Sequence, residues 1–554
     1  MLGPSGHSDT FARDNLPPFD EWPAIDLGDF AYPEWFNAGA ELTDRMVARG
    51  FGERVALIGN GRRRTYRELA EWTNRLAHAL VDDLGVQPGN RVLIRSGNNP
   101  AMVAVWLAVT KVGGVAVNTM PMLRTGELET VIDKAEIAFA LCDARLLAEI
   151  EAIADSRFLK RIVAFDGTAS HDAELDRLAL NKPVAFDPPP VGRDDVALLG
   201  FTSGSTGVPK ATMHFQRDLV IIADAYAREV LQVTPDDVFV GSPPLAFTFG
   251  LGGLAIFPLR FGAAAVLVED AGPQRLVELI RETSATVCFT APTAYRAMLA
   301  ASDDAADFAS LRIAVSAGET LPAPIFEEWT IRTGKPILDG IGGTEMLHIF
   351  ISNRLGEAAP GCTGRPLRGY EARIVDEAMN EVPRGTVGRL AVRGPLGCRY
   401  LADPRQRDVV KDGWNLTGDA FFQDEAGVFH FCARTDDMIV SAGYNIAGPE
   451  VEAALLKHSA VRECAVIGRD DTARGCIVEA HIVLGAGMVG DEIMAKTLQD
   501  HVKATIAPYK YPRSVVFVDA LPKTESGKIQ RFRLRPAASA AAAPLGSAPM
   551  TSPV

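Results

Sequence analysis

The sequence predicts an α/β protein: a large N-terminal α/β lobe with mainly parallel sheets plus a small β subdomain, and a small α+β C-terminal domain. Three observations carry this. Short β-branched runs alternate with helical patterns over most of the 554 residues, as in strands joined by helical crossovers. Between 370 and 392 the pattern changes to short strands with Gly and Pro turns and no long helix. After Arg434 it restarts as a unit of about a hundred residues, a normal size for a small domain.

In chain order, a helical pattern at 66–81 precedes expected strands at 91–95 (RVLIR), 114–118 (GVAVN), 161–165 (RIVAF) and 196–202 (VALLGFT). A helix is expected at 218–231, then strands at 264–268 (AAVLV), 286–290 (TVCFT) and 312–316 (RIAVS). These runs are short and rich in β-branched residues, which suits buried strands. In the restarted unit the expected order is helix 449–458, strands 464–468 and 477–484, helix 491–506 and strand 514–519. The tail 536–554 (PAASAAAAPLGSAPMTSPV) is rich in Ala, Pro and Ser and uncharged, so it is expected to be flexible, with docking over a site as the minority reading. The expected division is therefore 1–435, 436–535 and 536–554.

Composition narrows the function. The chain has 56 Lys and Arg against 70 Asp and Glu, a formal net charge of -14 and a pI near 5.3. No bulk positive field offsets a nucleic-acid polyanion, so nucleic acid is not an expected partner. A small anionic substrate needs only local positive charge. The seven cysteines are scattered with no C-x-x-C pair, which reads as free thiols in a reducing compartment and no zinc site. The start, MLGPSGHSDTFARDN, has no apolar signal-peptide core. The most apolar stretch, 249–268, contains Pro258, Arg260 and several glycines, so a buried strand–helix unit is expected there and not a membrane span. A cytoplasmic protein without a membrane partner is the expectation. A homodimer is considered, although no residue pattern speaks for it.

The strongest local signal is 201–210, FTSGSTGVPK. An expected strand enters a loop of glycines and hydroxyls that ends on Lys210. Glycines let backbone N–H groups approach an anion, hydroxyls add donors and the lysine adds charge. It is not a P-loop, because Pro209 stands where a Walker motif needs Gly before Lys.

This run resembles the phosphate loop of the acyl-adenylate-forming superfamily, the AMP-binding acyl- and aryl-CoA ligases with luciferases and peptide-synthetase adenylation domains. Five further segments resemble its other motifs in the same order. They are 316–322 (SAGETLP) for the adenine loop, 339–345 (DGIGGTE) for the Thr-Glu motif and 414–419 (WNLTGD) for the ribose Asp. The last two are 434–445 (RTDDMIVSAGYN) for the hinge and following loop, and 522–529 (PKTESGKI) for the catalytic lysine loop.

The resemblance implies that a carboxylate and ATP give acyl-AMP and pyrophosphate, followed by acyl transfer to a thiol. It implies ATP, Mg²⁺ and coenzyme A as cofactors. It makes Lys528 the group bridging carboxylate and α-phosphate, Thr344 a bond to the α-phosphate and Glu345 the Mg²⁺ ligand. Thr202, Ser203, Gly204, Ser205, Thr206, Gly207 and Lys210 would cradle the β- and γ-phosphates. Gly318 and Glu319 would flank adenine, with Asp339 also in the nucleotide site; Asp419 would take the ribose hydroxyls, and Arg434 the ribose or phosphate. Asp436 falls at the hinge position, which makes the C-terminal domain mobile. A second orientation would replace Lys528 with the loop carrying Ser441, Gly443 and Tyr444 and open a thiol channel.

The acceptor is expected to be CoA. No carrier-protein domain is expected after Lys528, and 503–535 is locally basic, with Lys503, Lys510, Arg513, Lys523, Lys528, Arg531, Arg533 and Arg535. The segments 241–253 (GSPPLAFTFGLGG), 339–353 (DGIGGTEMLHIFISN), TFARDNLPP and TAPTAYRAML resemble the benzoate-CoA ligase branch, especially 2-aminobenzoate-CoA ligases. That places Phe247, Thr248, Phe249, Ala317, Gly342, His348 and Ile349 around the acid, and implies aromatic acid catabolism. Ile341 agrees with the branch; Ala211 and Cys362 replace the usual Gly and Ser. The same chemistry on a small branched or 2-hydroxy acid such as 2-hydroxyisobutyrate is the alternative, and a luciferase-like oxygenase the remote one.

Overall fold

The expected parallel strands form two large sheets in the computed structural model. It describes residues 2–153, 156–168, 173–202, 209–318, 321, 323–434, 439–441, 444–446, 448–471, 474–522 and 531–534. Among these residues, six strands lie side by side in the order Arg161–Phe165, Phe139–Asp143, Arg91–Arg95, Val115–Thr119, Val196–Thr202, Lys210–Phe215. All neighbours are parallel except the last pair. A second, nine-stranded sheet runs Arg365–Pro366, Ile349–Ser352, Ile337–Gly342, Ile313–Ser316, Val287–Thr290, Val238–Gly241, Ala264–Val266, Val55–Gly59, Arg62–Thr65. Its centre is parallel and its two edges antiparallel. Parallel strands covered on both faces need apolar residues throughout, which explains the continuous runs seen in the sequence.

Local chemistry sets the element boundaries. The helix Pro100–Lys111 starts where the Asn99 side chain accepts the Met102 N–H at 2.9 Å, with Pro100 in the first turn. It is buried along its length, and Lys111 at its end is neutralised by Asp44 at 2.7 Å and bonded to Asn74 at 2.6 Å. The edge hairpin Val55–Gly59/Arg62–Thr65 turns through Asn60 and Gly61, both with positive φ (51° and 69°), as a tight two-residue hairpin requires.

The expected strands at 91–95, 161–165 and 196–202 match the structure, and those at 114–118, 286–290 and 312–316 are displaced or shortened by one residue at an end. Two expected helices end early: Tyr66–His78 and Gln216–Ile222 each relax into a π turn, over Ala79–Asp83 and Ala223–Ala227. The apolar stretch at 249–268 is a buried helical unit, Thr248–Leu251 and Phe257–Phe261 around a π turn, leading into the strand Ala264–Val266. No helix among the described residues is long and apolar enough to cross a membrane.

The small β subdomain is larger than the 370–392 expectation. Glu371–Val375 and Gly388–Arg393 continue into Trp414–Gln423 and Val410–Lys411, and Phe429–Arg434 pairs with Trp414–Gln423. The early strands alone would leave an open edge, which the later ones cover. Beyond it, helix Gly448–Leu455, the long hairpin Val461–Asp471/Gly475–Leu484, helix Glu492–Thr505 and the strand Ser514–Phe517 enclose a core of their own. Ile446, Val451, Leu455, Val478, Ile482, Leu498 and Val502 belong to it. The expected boundary at 435/436 and the tail 536–554 lie outside the described residues.

Candidate functional site

Four parallel strands, Val238–Gly241, Val287–Thr290, Ile313–Ser316 and Ile337–Gly342, end at one edge of the nine-stranded sheet, with Thr290 opposite Ser316 and Ser316 opposite Asp339. Ligands of open α/β sheets bind beyond the carboxyl ends of such strands. The candidate residues Ala317, Gly318, Gly342, Thr344 and Glu345 all follow or close these strands. Gly318 has φ of 89°, a left-handed conformation that a side chain would strain. Gly342 is required by space: a Cβ there would lie 2.7 Å from the His348 carbonyl oxygen.

The six-stranded sheet brings up the phosphate-loop strands. Thr202 and Lys210 are direct cross-strand partners, so the two antiparallel strands of this hairpin bracket the motif on either side. The hairpin touches the Thr-Glu turn at Gly200, where an added Cβ would lie 2.5 Å from Thr344 Cγ2. Tyr400 joins the two motifs. Its hydroxyl donates to Glu345 Oε1 at 2.6 Å and accepts from Lys210 Nζ at 3.2 Å. Burial, followed by the negative charge of Glu345, pushes the Tyr400 phenol far above its ordinary range, so it stays a donor.

Asp339 is buried, and that burial holds its carboxyl well above the usual range despite help from Ser316. Asp419 is 6% exposed, and its backbone pairs with Arg434 across the strands Trp414–Gln423 and Phe429–Arg434, so the two nucleotide candidates are neighbours. The Arg434 side chain is outside the described residues.

Of the acid candidates, Phe249, Gly342 and Ile349 adjoin His348, whose other ring neighbours are not among them. His348 is 2% exposed, with ring centres of Phe257 at 4.5 Å, Phe249 at 5.5 Å, Tyr226 at 5.8 Å and Phe289 at 6.2 Å. Burial pushes its pKa down to about 3, so the ring is neutral at pH 7. Ile349 is buried beside it, Phe247, Thr248 and Phe249 are half-buried, and Ala317 is buried. The Tyr444 ring, from the segment paired with Ser441, meets Phe247 at 6.4 Å and stacks on Tyr509 at 4.2 Å. Ser441 itself is buried.

Lys528, Ser203, Gly204, Ser205, Thr206, Gly207, Glu319, Gly443 and Asp436 lie outside the described residues. The basic patch expected at 503–535 is in part committed internally. Lys510 is 5% exposed and bound to Glu127 at 2.7 Å, Arg531 bonds both Glu452 oxygens at 2.8 Å, and Lys503 and Arg513 lie over the Tyr511 ring. Counting charges along a segment overstates what faces solvent, because pairing across the fold is invisible in it. Tyr400 was absent from the sequence candidates; no motif marks it, and only strand pairing brings it to residues 55 and 190 positions away. A cleft of about 840 Å³ lies elsewhere, between 29–49 and Arg260, and its Arg49, Arg228, Arg260 and Arg368 are paired with acids.

Glu345 suits a hard divalent ion. It supplies one carboxylate, and no cluster of three or more His, Cys, Asp or Glu groups able to hold a metal occurs among the described residues. A Mg²⁺ ion shared with substrate phosphates uses one or two carboxylates and not a dedicated cage.

Comparison with known proteins agrees with this geometry. The AMP-binding enzyme family matches residues 45–400, and the AMP-binding enzyme C-terminal domain matches 450–528. Benzoate–CoA ligase of Thauera aromatica is 36% identical over 510 residues, covering 91% of this chain and 97% of that protein. The crystal structure of the anthranilate CoA ligase AuaEII in complex with anthranoyl-AMP is 33% identical with a TM-score of 0.70, covering 91% of this chain and 97% of that one. A benzoate CoA ligase from Burkholderia xenovorans LB400 is 34% identical with a TM-score of 0.68, covering 90% of this chain and 100% of that one.

Proposed function

The chain belongs to the AMP-binding enzyme family, and from that premise we propose that it is an ATP-dependent acid–CoA ligase that activates benzoate or 2-aminobenzoate through an acyl-adenylate. The observation that carries this reading is the meeting of Lys210, Thr344 and Glu345 beside the aromatic surround of His348.

A carboxylate is already ionised at pH 7, so the first step needs no general base. It needs alignment at the α-phosphorus and neutralisation of charge. Thr202, Thr206 and Lys210 hold the β- and γ-phosphates, and Asp419 takes the ribose hydroxyls. Thr344 bonds the α-phosphate while Lys528 draws carboxylate and phosphate together. Glu345 holds Mg²⁺, which when bound offsets phosphate charge. One carboxylate oxygen displaces pyrophosphate, leaving acyl-AMP. The part beyond Asp436 then turns and brings the 441–444 loop to the acyl group, and the CoA sulfur attacks the carbonyl carbon and expels AMP. The contact of Tyr444 with Phe247 supports that second arrangement. Sequestering a hydrolysable adenylate between steps is the physical reason for such a movement.

A planar acid suits walls of Phe and Ile with few polar groups. Half-buried Thr248 can bond an ortho amino group. The test is pyrophosphate release over benzoate, 2-aminobenzoate, hydroxybenzoates and 2-hydroxyisobutyrate, with and without CoA. The expected result is fastest release with benzoate or 2-aminobenzoate. A clear preference for the short hydroxy acid would overturn the acid assignment, and no release with any acid the ligase itself. Lys528→Ala is expected to lose adenylation yet keep thioester formation from supplied acyl-AMP.

A further inference from the structure

Residues 398–401 run beside the strand Lys210–Phe215 as a partial extra strand. The Met213 N–H donates to the Arg399 carbonyl at 2.8 Å, and the Leu401 N–H to the Ala211 carbonyl at 2.9 Å. Tyr400 is fixed from behind by its own N–H, which donates to Gln406 Oε1 at 2.9 Å. Gln406 is held in turn by the Glu21 and Cys398 carbonyls at 2.9 and 3.0 Å. Next to it, Arg399 is fully buried and paired with fully buried Asp218. The Tyr400 side chain, 1% exposed, therefore has little freedom, and its hydroxyl stands 2.6 Å from Glu345 and 3.2 Å from Lys210.

We propose that Tyr400 is a positioning residue for adenylation: its hydroxyl holds the Glu345 carboxylate and the Lys210 ammonium apart and aimed before Mg·ATP arrives. The proposal rests on the function proposed above. Two opposite charges facing one another in a half-buried site close into an ion pair unless something stands between them. Such a pair would have to be broken by every incoming nucleotide. The phenol satisfies both groups through one atom and keeps them separate. It also sits over the ammonium, with Lys210 Nζ 5.0 Å from the ring centre. No contact of Tyr400 with the acid candidates is needed, so the effect belongs to the nucleotide side of the site.

The test is Tyr400→Phe, which removes one oxygen and keeps the ring. Mg·ATP affinity is read by titration calorimetry, adenylation by pyrophosphate exchange, and transfer by mixing acyl-AMP with CoA. Losing a hydrogen bond to charged groups predicts roughly tenfold weaker Mg·ATP binding and a similar loss of exchange. Transfer from supplied acyl-AMP should stay within about twofold, because it uses neither phosphate contact. In a Glu345→Gln background the same substitution should cost much less, whereas a general packing defect would cost as much in both backgrounds, so the cycle decides even if Tyr400→Phe lowers thermal stability. Unchanged Mg·ATP affinity, equal loss in both half-reactions, or a full penalty in the Glu345→Gln background overturns the proposal. A wild-type chain with no acid-dependent pyrophosphate release refutes the ligase reading instead, and an active wild type with an unaffected Tyr400→Phe refutes this proposal alone.

Discussion

His348 shows how one buried residue couples pocket chemistry to stability. Its imidazole sits among four aromatic rings, and burial lowers its pKa from 6.5 to about 3. In the unfolded chain it takes up a proton near pH 6.5, while in the folded chain it does not until about pH 3. A depressed folded value means stability that is complete above pH 6.5 and drains away as pH falls, with a slope approaching ~1.4 kcal/mol per pH unit for this one proton. His214, held down to about 4 by burial, acts in the same direction. His348→Leu is therefore expected to flatten the fall of unfolding free energy between pH 6.5 and 5 relative to wild type, as measured in urea. Identical slopes would show that the ring is not a buried neutral imidazole. The neutral ring also predicts that activity above pH 5 carries no titration from His348.

At the scale of elements, the contact between the phosphate-loop hairpin and the Thr-Glu turn depends on the absence of a side chain at 200. With 2.5 Å between a Cβ there and Thr344 Cγ2, Gly200→Ala must displace the Thr344 side chain, by rotation or together with its turn. A displacement near 1 Å predicts about 10²-fold slower pyrophosphate exchange, with a modest stability loss of ~1–3 kcal/mol. The strand 210–215 has a second dependence. Arg399 and Asp218 are both fully buried, so Arg399→Met removes the nearer of two guanidinium partners of that carboxylate, leaving Arg217 at 3.8 Å, and should cost ~3 kcal/mol in urea unfolding. These couplings mark what the sequence could and could not convey. The strands 91–95, 161–165 and 196–202 were legible because period and composition are local signals. The TSGSTGVPK and GGTE runs were legible through family resemblance, and the structure sets the ends of both segments side by side. Tyr400, the Arg399–Asp218 pair and the capture of Lys510 by Glu127 were not legible, since each is a long-range consequence of strand order. The π turns escaped for a different reason: one extra residue in a helical turn hardly alters apolar periodicity.

At the scale of the whole molecule, the described residues of the C-terminal unit dock on the N-terminal lobe through named polar and aromatic contacts, among them Arg124 donating to the Lys503 carbonyl at 3.4 Å. Lys510 bonds Glu127 at 2.7 Å, the Ala507 N–H donates to the other Glu127 oxygen at 3.0 Å, and Tyr444 reaches Phe247. In the proposed alternation this docking belongs to the acyl-transfer arrangement. Glu127→Gln is then expected to slow thioester formation about tenfold while leaving pyrophosphate exchange nearly intact, since a largely buried lysine loses its charge partner in one arrangement only. Equal effects on both half-reactions would contradict the assignment of this docking to transfer. The central claim is that a carboxylate oxygen attacks the α-phosphorus of ATP before the thiol attacks carbon. It is tested most directly by running the complete reaction with ¹⁸O-carboxylate-labelled benzoate or 2-aminobenzoate, ATP, Mg²⁺ and CoA, and weighing the nucleotide by mass spectrometry. The account predicts one ¹⁸O in AMP and none in pyrophosphate; unlabelled AMP, or label in pyrophosphate or inorganic phosphate, would contradict it.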